Sequence, residues 1–269
     1  MDKYFQDKVV IVTGASSGIG LAAARAFGAS GAKVAMAARS YDKLLELAPS
    51  VGSDVLCVRT DVTVEEECKA LVEAVVARWG RIDILVNNAG ISMRAMFKDL
   101  DLSVIRRLMD VNFWGTVYCT KYALPWLLSS KGSVVGVISI AGYSALPART
   151  GYSASKYAVR GFLDTVRIEH LRDGLHVMVF APGYTSSNVR NAALTADGSA
   201  QGETPLDEGS LMSAERCADY LLKGLRKRRN HMTLTALGKL TVLAHNLFPN
   251  LTDRLTYSYI AREAGSPFK

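Results

Sequence analysis

Tyr152 and Lys156 stand four residues apart in Tyr152-Ser153-Ala154-Ser155-Lys156. On a helix this spacing puts a phenol and an ammonium one turn apart on the same face. A free tyrosine titrates near pH ~10, too high for efficient acid–base work at neutrality. An adjacent cation favours the phenolate and pulls that value down. Taken alone, the pair is an ordinary surface pair, so its meaning depends on what surrounds it. Ser139 closes an apolar run in Ile138-Ser139-Ile140-Ala141-Gly142. A hydroxyl at a strand end can hydrogen-bond a reacting oxygen and stabilise its developing charge. Asn112, in Asp110-Val111-Asn112-Phe113-Trp114-Gly115, is a poor helix former inside a helical stretch. It marks either a helix irregularity or a carbonyl that holds a water between Lys156 and solvent.

The elements that must position these groups are legible as short apolar runs alternating with helical patterns. The runs predict strands over residues 9–12, 33–38, 55–58, 82–86, 134–138, 176–180 and 232–237. Unbroken β-branched runs suggest strands buried on both faces. Helices are predicted over 19–27, 64–79, 102–128, 152–171 and 214–228, the third interrupted only by Gly115 and Pro125. Thr63 is the expected N-cap of the second, with Glu66 at the capping-box position. The fold class is therefore α/β: a single Rossmann-type, doubly wound parallel sheet of about seven strands flanked by helices. A chain of 269 residues with 49% hydrophobic composition needs only one such domain, 1–269. Residues 186–213 are polar and turn-rich, the composition of a lid over a site. Residues 237–262 are rich in Leu, Phe, Tyr and Ile. Packing over the site or at a subunit interface is the expectation for them. The alternative is docking on a membrane surface, helped by the basic stretch at 223–229.

The first strand runs into Thr13-Gly14-Ala15-Ser16-Ser17-Gly18-Ile19-Gly20. Glycines there let the backbone turn tightly beside a pyrophosphate, and the following helix offers its N–H groups and positive dipole end. The spacing is G-x-x-x-G-x-G, and its place between a buried strand and an Ala-rich helix strengthens the reading. The second strand ends Ala37-Ala38-Arg39-Ser40. An acid near this position would take a ribose 2′-hydroxyl, whereas a guanidinium suits a 2′-phosphate. The missing acid and the present base agree on NADP(H). Asp61-Val62 closes the third strand, where a carboxylate could take the adenine amino group, and Asn87-Asn88-Ala89-Gly90 closes the fourth. Both fall on the carboxyl edge of the sheet, where such folds bind ligands. Either could also be plain turn chemistry.

Other classes are set aside by composition. Cys57, Cys68, Cys119 and Cys217 form no C-x-x-C pair, and His170, His176, His231 and His245 lack H-E-x-x-H spacing, so no metal site is expected. The net charge of +7 suits an anionic partner or a solvated basic face, and no nucleic-acid module accompanies it. No apolar run reaches the roughly 18 residues of a bilayer span, and residues 1–8 lack a signal-peptide pattern. A cytoplasmic protein is expected.

Together these residues resemble the short-chain dehydrogenase/reductase family over nearly the whole chain. T-G-A-S-S-G-I-G, D-V, N-N-A-G, the helix Asn, the strand-end Ser, Y-x-x-x-K and Pro182-Gly183 occur in the family's order and spacing. The resemblance implies roles. Tyr152 is the acid/base, Lys156 holds the nicotinamide ribose, Ser139 orients the substrate carbonyl and Asn112 completes a proton relay. Gly14, Ser16, Ser17, Gly18, Ile19, Gly20, Arg39, Ser40, Asp61, Val62, Asn88, Ala89 and Gly90 line the cofactor. Pro182, Gly183, Thr185 and Ser187 meet its carboxamide end, and Tyr184 faces substrate. Two positions depart from the pattern: Ile140 stands where many members carry a second Ser, and Ser187 replaces the usual Thr. Residues 188–199 and the hydrophobic C-terminal region look like the hydroxysteroid-dehydrogenase-like branch. The implied activity is interconversion of a ketone or aldehyde and an alcohol on a lipophilic substrate. A 3-oxoacyl thioester reductase is the alternative, and a non-catalytic cofactor-sensing module the alternative of another class. The family also implies a homodimer or homotetramer built on the 102–128 and 152–171 helices.

Overall fold

All seven apolar runs are strands in the computed structural model, which describes residues 4–185, 192–202, 211–262, 266 and 268. They are β1 (Val9–Thr13), β2 (Lys33–Ala38), β3 (Val55–Arg59), β4 (Ile84–Asn87), β5 (Ser133–Val137), β6 (His176–Ala181) and β7 (His231–Thr233). Every pairing is parallel, in the order β3-β2-β1-β4-β5-β6-β7. The order reverses between β1 and β4, which opens a crevice at their carboxyl ends.

Side chains leave each strand alternately toward two cores. Val10 and Val12 enter one, which α1 (Gly18–Ala29), α2 (Tyr41–Leu47) and α7 (Ala214–Arg226) cover with Phe27, Leu44 and Leu221. Val9 and Ile11 enter the other, covered by α3 (Glu65–Trp79), α5 (Gly115–Ser129) and α6 (Thr150–Glu169) through Leu71, Cys119 and Leu163. Both faces are covered, so no strand needs a polar side, and this is why the runs are unbroken. Burying each such side chain contributes ~1.5–3 kcal/mol, which holds the strand ends, and the groups on them, in place.

The structure corrects several boundaries. The long helix predicted over 102–128 is three pieces: α4 (Leu102–Leu108), a π-helical turn over Met109–Trp114, and α5. Pro125 lies inside α5 without ending it. Thr63 does not cap α3, because its hydroxyl is donated to Asp61; Val64 is the cap residue. Glu67, rather than Glu66, reaches back to the Asp61 N–H. The seventh strand stops at Thr233, since Thr235 adopts a positive φ and its hydroxyl caps α8 (Ala236–Leu247) by accepting from Gly238 N–H. The hydrophobic C-terminal pattern is α8 and α9 (Pro249–Ala261).

The basic stretch at 223–229 lies at the other edge of the sheet from these helices. Arg228 donates to the carbonyls of Gly174 and Lys131, which precede β6 and β5, whereas α8 starts beyond the carboxyl end of β7. Arg228 thus lies toward the end of the sheet opposite the start of α8.

His176 ties that amino edge together. Its ring nitrogens hydrogen-bond the Ser133 hydroxyl and the Arg229 carbonyl, each at 3.1 Å. Burial pushes its pKa down to about 4. An unfolded histidine titrates near ~6.5, so between these values only the unfolded chain takes up the proton, and stability falls as pH drops through the window. Chemical denaturation at pH ~5 is expected to show a loss of ~2 kcal/mol from this residue relative to pH ~7. His176→Gln should flatten that part of the profile; an unchanged slope in the variant assigns the loss to other groups.

Candidate active site

The glycine turn between β1 and α1 is held by the end of β4. Thr13 Oγ1 accepts from the N–H groups of Asn88 and Ala89, both at 3.0 Å, and Asn88 Nδ2 donates to the carbonyls of Thr13 and Gly14. Gly14 and Gly18 have positive φ, +65° and +52°, which only glycine adopts freely. Gly20 does a different job from its neighbours. It lies behind the crevice, where a Cβ would stand 2.3 Å from the Gly14 carbonyl oxygen and 2.4 Å from Asn88 Nδ2. The absence of a side chain there allows close helix–loop packing.

A continuous cavity of about 860 Å³ runs from this turn across the carboxyl edge of the sheet. Ser16, Ser17, Gly18, Ile19, Arg39, Ser40, Asp61 and Val62 line one end, with Asn88, Ala89 and Gly90 at its middle. Ser139, Tyr152, Lys156, Pro182, Gly183, Tyr184 and Thr185 line the other. Arg39 is exposed and makes no ion pair among the described residues. Partial burial disfavours the Asp61 anion. Hydrogen bonds from the Thr63 N–H and hydroxyl, and the charges of Arg39 and Arg59, outweigh this and hold its pKa below the usual value. Ser187, and residues 186–191 and 203–210 of the expected lid, lie outside the described residues. The rest of that segment docks: Leu194 exchanges backbone hydrogen bonds with Ser92 and Arg94, and Asp101 N–H donates to Ala196.

At the chemical end, α6 carries both Tyr152 and Lys156, with the Lys156 Nζ 5.7 Å from the Tyr152 ring centre. The Lys156 ammonium is buried and donates to the Val137 carbonyl at 3.0 Å. Burial pushes its pKa down to about 8. An ammonium has three donors and Val137 uses one, so the others can take ribose hydroxyls. The absent side chain of Gly90 keeps that approach open: a Cβ there would lie 3.3 Å from Lys156 Nζ and 3.1 Å from Asn112 Oδ1. The chemistry of this donor set and the length of the cavity fit a dinucleotide.

Asn112 is buried behind the cavity wall, inside the π turn. Its side chain exchanges two hydrogen bonds with Ile91 (2.8 and 3.0 Å) and donates to Ser155 Oγ at 2.9 Å. The asparagine thus anchors the end of β4 to α6. The irregularity that its helix propensity suggested is real, and such turns are frequent at functional sites.

Ser139 caps a short turn over Ile140–Gly142, its Oγ accepting from Ala141 N–H at 3.2 Å. The next residue, Tyr143, is clamped from below. Its hydroxyl meets His231 Nδ1 at 2.7 Å, Arg160 lies 4.1 Å over its ring, and its carbonyl accepts from Tyr157. His231 Nε2 in turn lies 3.0 Å from Asp164 of α6. This chain ties the serine turn to the helix bearing Tyr152. Sequence reasoning missed it, and missed Arg149, whose Nη1 donates to Ser92 Oγ and the Met93 carbonyl, both 3.1 Å, in the cavity wall. Leu237, Leu240, Thr252 and Leu255 also line the cavity, in the region expected to pack over the site.

A glycine-turn crevice at the switch point of a parallel sheet, with a phenol, an ammonium and a hydroxyl at its far end, defines a nucleotide-binding oxidoreductase site. The profile of the family described as short chain dehydrogenase matches residues 8–197, and the chain belongs to that family. It is 34% identical to 11-beta-hydroxysteroid dehydrogenase 1A of Arabidopsis thaliana, over 93% of this chain and 75% of that protein. It is also 34% identical to dehydrogenase/reductase SDR family member 7B of Bos taurus, over 99% of this chain and 85% of that protein. These relatives place it in the hydroxysteroid-dehydrogenase-like branch. Among solved structures, an alcohol dehydrogenase of Thermococcus sibiricus complexed with 5-hydroxy-NADP superposes with a TM-score of 0.76 at 25% identity, covering 85% of this chain and 96% of that one. A short-chain dehydrogenase/reductase of Burkholderia phymatum in complex with NAD superposes with a TM-score of 0.81, covering 93% and 96%; at 22% identity it speaks for the fold alone. The chain is thus an oxidoreductase of a family that binds nicotinamide dinucleotides and acts on CH–OH groups.

Proposed function

We propose that the protein is an NADP(H)-dependent reductase or dehydrogenase of a lipophilic ketone, aldehyde or alcohol, with Tyr152 as general acid and base. The observation that carries this is the convergence of Tyr152, Lys156 and Ser139 at one end of a cavity whose other end is the glycine turn. When bound, the nicotinamide supplies or accepts the hydride. The Tyr152 hydroxyl gives its proton to the carbonyl oxygen in reduction and takes it back in oxidation. Ser139 donates a hydrogen bond to the same oxygen as charge develops on it. Lys156 holds the ribose and favours the phenolate through its charge. Asn112, by joining Ile91 to Ser155, keeps the end of β4 and α6 in register. Tyr184 and the apolar side chains of Ile140, Leu146, Leu237 and Ile260 face the substrate. The docked stretch at 192–202 contributes Ala192 to the cavity wall.

Arg39 supports the cofactor choice: it is exposed at the cavity wall beside Asp61, and Ala38 stands where an acid would repel a 2′-phosphate. Exposed Trp126 on α5 and Ile168 on α6 suit a subunit interface, and a homodimer or homotetramer is the assembly we infer. Oxidation of NADPH against a panel of steroid, sphingoid, acyl-thioester and aromatic carbonyls tests the reading. Turnover is expected with the free lipophilic ketones; turnover confined to acyl thioesters would favour the 3-oxoacyl reductase instead. In parallel, Arg39→Ala should raise the Kd of NADPH by about 10-fold or more while changing that of NADH little, one charge-assisted contact being at stake. Equal losses for both cofactors would remove Arg39 from phosphate recognition.

A further inference from the structure

Tyr152, Lys156, Arg160 and Asp164 follow one another at four-residue intervals along α6. On a helix this spacing stacks them in a row along one slowly turning face. The first two serve the reaction. The last two reach Tyr143, the residue that ends the Ser139 turn. Arg160 lies 4.1 Å over the Tyr143 ring and donates to the Gly142 carbonyl at 3.5 Å. Asp164 pairs with Arg160 at 3.7 Å and Arg167 at 3.2 Å, and it holds His231 at 3.0 Å. The other nitrogen of His231 meets the Tyr143 hydroxyl at 2.7 Å. Tyr143, Arg160, Asp164 and His231 are all absent from the cavity wall.

The chemistry of the groups fixes the direction of this chain. A carboxylate only accepts, so the His231 proton sits on Nε2 and Nδ1 is left to accept. Burial, against the pull of the Asp164 charge, holds the His231 pKa below the usual histidine value. Burial pushes the Tyr143 phenol up to about 12, so it keeps its proton and donates. Tyr143 thus donates to His231, which donates to Asp164, and each donor has one acceptor. Apolar packing is non-directional, whereas such a chain fixes the orientation of what it holds. What it holds is the serine turn. Gly142 N–H donates to the Ser139 carbonyl at 2.9 Å and Tyr143 N–H to that of Ile140 at 2.8 Å. A Cβ on Gly142 would lie 3.1 Å from the Lys156 carbonyl oxygen, so the turn sits directly on α6. Ser139 Oγ accepts from Ala141 N–H, which leaves its O–H to donate. A hydroxyl that serves a reacting oxygen must be held to within about 0.5 Å.

We propose that Tyr143 is a positioning residue for the Ser139 hydroxyl, held by His231 and Asp164, so that one face of α6 aims both Ser139 and Tyr152 at the reacting oxygen. This rests on the role given to Ser139 above, and the test separates the two. It is a double-mutant cycle in the full chain, read as NADPH oxidation with benzaldehyde. Ser139→Ala should lower kcat by about 100-fold. Tyr143→Phe should lower it by about 10-fold, with the KM for NADPH within about twofold of wild type. In the Ser139→Ala background, Tyr143→Phe should change kcat by less than about twofold, because the hydroxyl it aims is gone. His231→Ala should reproduce the Tyr143→Phe loss. His231→Gln offers an amide oxygen to Tyr143 and an N–H to Asp164, and should bring kcat back to within about threefold of wild type. Wild-type kcat in Tyr143→Phe overturns the proposal. So does an equal loss in both backgrounds, which would mean that Tyr143 acts on the fold or on Tyr152. Should Tyr143→Phe fail to fold, the histidine variants decide: a His231→Gln as slow as His231→Ala overturns the proposal. Ser139→Ala with wild-type kcat would instead remove the role of Ser139 itself, and the proposal with it.

Discussion

Tyr152→Phe is expected to lower kcat by about 10³-fold while leaving the Kd of NADPH within about threefold of wild type. The substitution removes one oxygen. The ring, which packs against the cluster of Met93, Leu100, Val104 and Leu108, stays. The Lys156 hydrogen bond to Val137 does not involve the phenol and also stays. Cofactor affinity and thermal stability therefore report an intact site, and the rate reports the proton alone. Fluorescence titration with NADPH beside steady-state turnover separates the two. Residual activity within about tenfold of wild type would move the acid–base role to another group.

Gly20→Ala carries the second large effect, at the opposite end of the cavity. One methyl group would stand 2.3 Å from the Gly14 oxygen and 2.4 Å from Asn88 Nδ2. Neither neighbour can yield cheaply, because Asn88 Nδ2 already bonds the Thr13 and Gly14 carbonyls. Either α1 retreats or the glycine turn opens, and overpacking of this kind costs ~1–3 kcal/mol. The Kd of NADPH should rise by about 10- to 100-fold, with kcat at saturating cofactor changed far less. Isothermal titration measures the first and saturation kinetics the second. An unchanged Kd would show that α1 can shift without disturbing the turn.

The strands were legible because a strand buried on both faces leaves an unbroken apolar run, and a run is a local signal. The glycine turn, Arg39 and the Tyr152–Lys156 pair were legible for the same reason: each is a short spacing with a local geometric meaning. What stayed hidden is nonlocal or needs an address. The Tyr143–His231–Asp164 chain joins residues that only the sheet order brings together. Arg149 is one arginine among many until Ser92 and Met93 are known to face it. The basic stretch at 223–229 was legible as a cluster, but composition does not say at which end of a strand a helix finishes. The π turn lay between these cases. Asn112 signalled an irregularity, but the partners of its side chain, Ile91 and Ser155, lie 21 and 43 residues away in the chain.

The strand order also sets a timetable for biosynthesis. β1 waits for β4, its neighbour on one side, until residue 84 and beyond have been made. A nascent chain that ends after Gly90 already holds every residue of the glycine turn, Arg39, Asp61 and the loop that braces them. It holds neither Ser139 nor Tyr152. The glycine-turn end of the crevice is thus made before the end assigned to chemistry and the nicotinamide exists, and the central strands can zip together around it before any reacting group arrives.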